Sequence, residues 1–241
     1  MSGDASLVHG SISHTVNVMV HVAFGTFALI VGLIPLVTTK GGTWHIRSGR
    51  WFLSALAVVI LTAVTGIVFF RFRPFLGVIT LLAAYQAYSG FRALRIRYTG
   101  PNLLDGAVSV AGIAAAILLL AYVRSLHIPW SPAVIYPTLG ALVGVSLYDL
   151  HRFAFPKRWF AKTWIYEHLI KMLGAYNAVV SAFSGTVLER WQPYSQIVPS
   201  AVATVVTIGF IIYVRRRRAF ASPTAQAATA ESIIPARAGA A

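Results

Sequence analysis

Apolar residues along this chain come in seven long, nearly unbroken stretches, at about 15–37, 51–70, 75–96, 104–124, 133–152, 165–188 and 197–214. Within them the apolar positions neither alternate, as in a half-buried strand, nor keep to one stripe, as in a surface helix of a soluble protein. Each stretch is close to the roughly 20 residues an α-helix needs to cross a hydrocarbon core. A helix suits that medium because it satisfies its own backbone hydrogen bonds. The pattern therefore predicts an all-α integral membrane bundle of about seven transmembrane helices, one domain over residues 1–218. Residues 219–241, rich in Ala, Thr, Ser and Pro, predict a disordered tail.

Composition agrees. Of the 241 residues 57% are hydrophobic and only 11% charged, against about 25% charged in a soluble domain, so too few charges exist to cover a water-facing surface. The net charge of +14 invites a nucleic-acid partner, but the cations form no single patch. They sit in short clusters between apolar stretches, which is how topology signals are arranged. Counted loop by loop, one side holds 15 Lys and Arg residues and the other only Arg71, Arg73, Arg124 and Arg190, with Lys171 inside a helix. The alternation predicts an N-terminus outside and a C-terminus in the cytoplasm, with Arg215 to Arg218 as a stop-transfer clamp. A bacterial inner membrane is the expected location. The lipid bilayer is the expected partner, with anionic headgroups at the basic cytoplasmic loops and no nucleic acid.

All six tryptophans fall in loops or at helix ends, where an indole meets both apolar and wet surroundings. No Lys or Arg precedes Lys40, so the positive region of a cleavable signal peptide is missing. Without cysteine, disulfides, iron–sulfur clusters and thiolate chemistry are excluded. Gly140 and Gly144, and Gly174, Ala178 and Ala182, have the four-residue spacing that lets helices approach closely.

Three constellations could carry chemistry. His14, Asn17 and His21 share one helical face. They suggest haem or metal ligation, or a proton relay; the plainer alternative is an interfacial His14 and a His21 that hydrogen-bonds a neighbouring helix. A bis-imidazole haem b site needs a second histidine at the depth of His21. His9 and His127 lie outside, while His45, His151 and His168 lie toward the cytoplasm, so any haem or metal ion would be a single site near the outer face. The second constellation is Glu167, His168 and Lys171, with Asp149 and His151 across a short loop. Glu167 and Lys171 are spaced to pair. Together they suggest a substrate, ion or proton site at the inner leaflet, or else a structural ion pair with a snorkelling lysine. The third is the loop from Lys40 to Arg50, where glycines, three cations and a Ser48 suited to cap the second helix make a corner that favours anions. Tyr85, Gln86, Tyr88, Ser89, Gly90 and Arg92 could line the same region.

The pattern Lys40-Gly-Gly-x-x-His45-x-x-x-Gly49-Arg50, with Ser89 to Leu94 and His168 to Phe183, resembles a family of bacterial multi-pass membrane proteins known only as a domain of unknown function. The resemblance spans roughly residues 14–215. It implies no activity, and it singles out Lys40, His45, Gly49, Arg50, Gly90, Arg92 and His168 as recurring positions.

No HExxH, GxSxG or Walker motif is present. The last stretch lacks the histidines of seven-helix zinc hydrolases and the lysine of a rhodopsin. Three functions remain. One is handling of a small molecule, lipid or ion through a cytoplasmic-side polar pocket of Lys40, His45, Arg50, Arg92, Asp149, Glu167, His168 and Lys171. The second is haem- or metal-dependent redox chemistry at His14 and His21. The third is a scaffold within a membrane complex.

Overall fold

A computed structural model describes residues 2–70, 73–125, 127 and 131–221. Among them are seven α-helices and no strand: α1 Ser2–Val37, α2 Thr43–Phe69, α3 Pro74–Arg95, α4 Leu103–Ser125, α5 Pro132–His151, α6 Lys157–Val187 and α7 Tyr194–Ala221. Single 3₁₀ turns, Arg152–Ala154 and Glu189–Trp191, follow α5 and α6. Every apolar stretch of the sequence became a helix. Residues 222–241, most of the expected tail, lie outside the described residues, and 219–221 continue α7.

The ends differ more than the number. α2 and α6 each begin about eight residues before their apolar stretches, because the basic segments ahead of them are helical as well. Charge hides a helix start from a hydropathy reading, whereas backbone hydrogen bonding does not depend on it. Ser48 is consequently not a cap: it lies a turn and a half inside α2, and its hydroxyl donates to Trp44 O at 2.6 Å. Gly42 holds the cap position. Prolines open α3 and α5, where a missing N–H leaves nothing unsatisfied.

The connections between helices are short, so successive helices run antiparallel and the Lys- and Arg-rich connections gather at one end, the basic end. α1, α2, α3 and α6 close a four-helix ring through α1–α2, α2–α3, α3–α6 and α6–α1 contacts, which sets α2 across from α6. α4 and α5 pack on α3, and α7 packs on α6. The ring has a core of small residues: Ala28, Ala55, Ala83, Ala87, Ala175 and Ala178, with Phe52, Leu56 and Ile79. A second core joins α3 to α4 and α5 through Val78, Leu82, Tyr85, Ala116, Leu139 and Leu142. α3 belongs to both.

Close approach depends on glycine where helices cross. A Cβ at Gly174 would collide with the Gln86 side chain, and one at Gly32 would press on Tyr176. The expected spacing in α6 therefore does pack, with Ala178 buried. Gly140 and Gly144 do not: a Cβ at either meets nothing within 4 Å, because both point away from the bundle.

Five helices, α1, α2, α4, α5 and α7, are long and apolar enough to cross a membrane. Their outer faces are lined with exposed large side chains such as Leu118, Val205 and Phe69, the last 75% exposed. Water would not tolerate so continuous an apolar surface; hydrocarbon would. α3 and α6 are the exceptions. They are the inner helices, and polar residues along their lengths, Gln86 and Ser89 on α3 and Glu167, Lys171 and Ser181 on α6, are buried in protein.

Candidate functional site

Half of the chain's six acidic residues sit in one buried network at the basic end. Asp105 begins α4, Asp149 ends α5, and Glu167 lies on α6. Their counter-ions are Arg92 on α3, Arg152 just after α5, and Lys171 on α6. Three carboxylates face three cations, so the cluster is neutral.

Asp149 is the hub. It accepts from Lys171 Nζ at 2.5 Å, from Tyr85 at 3.0 Å and from Ser89. Arg152 Nε lies 3.2 Å away, near enough to ion-pair but off the hydrogen-bonding direction. Glu167 accepts from Arg152 Nη1 at 2.5 Å, from Tyr148 at 3.0 Å and from Thr163 at 3.3 Å. The expected Glu167–Lys171 pair exists at 3.6 Å, but Asp149 is the nearer partner of Lys171.

Arg92 grips Asp105 with two hydrogen bonds, 2.6 and 2.7 Å. Asp105 also closes a reciprocal cap with Asn102: each accepts the other's backbone N–H, at 2.9 and 3.1 Å. Ser109 ties this pair to Tyr85 at 3.1 Å, and hence to Asp149. Unpaired ions would be far costlier in such surroundings than the paired ones seen here.

Lys40, His45 and His168 form a different group. Lys40 Nζ donates to Pro35 O and Leu36 O, both at 2.7 Å, closing the end of α1. It also lies over the Phe210 ring. Partial burial lowers its pKa from the ordinary lysine value. His45 Nδ1 meets Pro35 O at 3.2 Å, and His168 Nδ1 meets Gly90 O at 2.9 Å. The two ring centroids lie 6.5 Å apart, with the ring planes inclined at 66°. Gly90 has no room for a side chain, since a Cβ would lie 3.0 Å from both Met172 Sδ and Lys171 Cβ. Arg50 joins neither group and is exposed on α2.

At the opposite end lies a cavity of about 520 Å³ between α1, α2, α3 and α6. Its walls are mostly Val, Leu, Ile and Ala, with His14, Asn17, His21 and four threonines, Thr62 and Thr80 among them, as the uncharged polar groups and Arg73 beside them. The three α1 residues share one face, as their spacing predicts. Asn17 donates to Thr62 O at 3.1 Å, and the His14 ring packs on Phe70. His21 Nδ1 lies 2.9 Å from Thr62 Oγ1. The plainer expectation for His21, a hydrogen bond to a neighbouring helix, is thus met. The Thr62 hydroxyl also reaches Val58 O at 2.8 Å and Val59 O at 3.0 Å; while it donates to either carbonyl, Nδ1 donates to it and Nε2 keeps a lone pair. Among the described residues no group of three or more His, Asp or Glu could hold a metal ion.

The spacing of His14, Asn17 and His21 marked one wall of this cavity. Sequence reasoning missed Arg152, which counted as one more cation of a basic loop, and Asp105, whose place at a helix start drew no attention. Both lie where an apolar stretch meets a charged one, and an acid there with an arginine nearby is the signal that was available.

Long apolar helices, lipid-type outer faces and acids paired inside the protein, with exposed cations gathered at the helix ends, define a multi-pass α-helical membrane protein. No protein-family model matches the chain, and no curated protein or solved structure matches it either.

Proposed function

We propose that this protein crosses the bacterial inner membrane seven times, N-terminus out and C-terminus in, and binds a small lipid-soluble molecule in the cavity beside His21. The charge bias, 15 cations against 4, supports the orientation. It also supports a seventh and a sixth span in α3 and α6, since removing either would scramble the alternation. The resemblance to the bacterial multi-pass family belongs to the same reading, as does contact of the basic loops with anionic headgroups.

The cavity carries the functional part. A hollow of about 520 Å³ is within the range of small-molecule sites, and such sites pair apolar walls with a few convergent polar groups. The His21 lone pair would accept a hydrogen bond from a hydroxyl or amine on the ligand. The polar residues at the basic end serve this reading as a fixed frame that holds α3, α4, α5 and α6.

The test is to fill the hollow. Gly25 lines it, and a Cβ there meets nothing within 4 Å, so Gly25→Leu intrudes without a backbone clash. Native mass spectrometry of protein taken from membranes in mild detergent should find a bound small molecule on wild type and none on Gly25→Leu. Identical lipid profiles for the two proteins, with both folded, would sink the reading.

A further inference from the structure

The histidine pair at the basic end does not depend on the cavity and points elsewhere. His45 comes from α2 and His168 from α6, the two helices that face each other across the four-helix ring. The rings stand 6.5 Å apart, centroid to centroid. Each Nδ1 contacts a backbone carbonyl, Pro35 O for one and Gly90 O for the other. A carbonyl only accepts, so both Nδ1 atoms carry protons and both neutral rings present Nε2 as a lone pair. No described residue hydrogen-bonds either Nε2.

We propose that His45 and His168 together ligate a metal. The arrangement supplies what imidazole ligation needs: tautomers and ring orientations fixed by hydrogen bonds on the far nitrogens, as metal-binding histidines usually have them. The separation fits too. Two metal–nitrogen bonds of about 2.0–2.1 Å, with roughly 1 Å more to each ring centre, put the centroids about 6 Å apart across a shared metal.

One helical turn beyond His168, Met172 brings its thioether to the same glycine, Gly90. Neutral nitrogens with a nearby thioether favour a soft ion, Cu(I) before Zn(II). Lys40 favours low charge as well, since its ammonium shares Pro35 O with His45. The chemistry that fits is a bare metal ion between two neutral histidines, since neither the cavity beside His21 nor the one beside Trp44 is lined by His45 or His168.

Asparagine is the informative substitution. It offers an N–H in place of Nδ1–H and has no second nitrogen, so His45→Asn and His168→Asn keep the bonds to Pro35 and Gly90 while removing the ligands. Full-length protein in detergent is examined for its absorption spectrum and metal content. It is then titrated with Cu(I) under reducing conditions against a chromogenic chelator, with Zn(II), and with haemin.

About one metal per chain is expected, weakened by more than about 100-fold in each Asn variant and unchanged in His151→Asn. Gel filtration and helical circular dichroism verify folding. A Soret band lost in the Asn variants overturns the bare-ion assignment. Colourless protein that binds Cu(I), and binds it more weakly in Met172→Leu, assigns a bare ion. Failure of wild type to take up Cu(I) or Zn(II) overturns the proposal. So does a metal that survives both Asn variants, or one that leaves with His21→Ala instead.

Discussion

At the basic end of the bundle Asp149 has hydrogen bonds from Tyr85, Ser89 and Lys171, and an ion pair with Arg152. At the other end His21 has only neutral partners, the Thr62 hydroxyl and the Val59 backbone, and an open hollow beside it. Both regions lie within apolar helices, and both bring polar side chains from three or four of them together. The difference follows from charge. A carboxylate away from water has to be neutralised and fully hydrogen-bonded, so its surroundings close around it. Neutral imidazole, amide and hydroxyl groups cost far less to leave half-satisfied. They can stand at the edge of a space and wait for a visitor. In this protein the ionic residues therefore mark where the structure is held, and the neutral polar ones mark where it can receive something.

Substitutions can break that contrast, and their effects should rank accordingly. Asp149→Asn leaves Lys171 and Arg152 short of a counter-charge, and unfolding in detergent should show a loss of about 3–5 kcal/mol. A double-mutant cycle with Lys171→Met should recover part of that loss, because the two groups interact directly. Gly174→Ala drives a methyl into Gln86 and should cost about 1–3 kcal/mol as overpacking. Asn102→Ala removes one half of the reciprocal cap on α4 and should cost about 1 kcal/mol, read as a small drop in midpoint. Gly25→Leu, at the cavity, should change stability by no more than about 0.5 kcal/mol even as it excludes the bound molecule. If Gly25→Leu proves as damaging as Asp149→Asn, the cavity is a structural element and the contrast fails.

Much of the architecture could be read from the sequence, because hydropathy reports directly what the helices bury in lipid. Every apolar stretch is a helix. Helix starts were less legible: Thr43 and Lys157 open α2 and α6 within charged segments, where composition imitates a loop. That shift in α2 had the largest effect on the site. A helix starting at 51 leaves His45 in a surface loop, whereas one starting at Thr43 carries it to the ring of His168. Of the proposed cytoplasmic-side residues, Asp149, Glu167 and Lys171 meet directly, and Arg92 joins through Asp105. Lys40 and His45 meet at Pro35, with His168 beside them, and Arg50 stands apart. Pairings between helices far apart in sequence, such as Tyr85 with Asp149, depend on helix order around the ring, which no local pattern encodes.

The two inner helices also bear on how the chain enters its membrane. A lysine or an acid at the centre of a lone spanning helix would raise the free energy of insertion by about 2.5–3.5 kcal/mol, and by less toward its end, where α6 carries both Glu167 and Lys171. Their neutralising partners, Asp149 and Arg152, arrive at the end of α5, immediately before α6 is synthesised. On the seven-span reading, holding α5 until α6 emerges would let the two enter the membrane as a neutral pair.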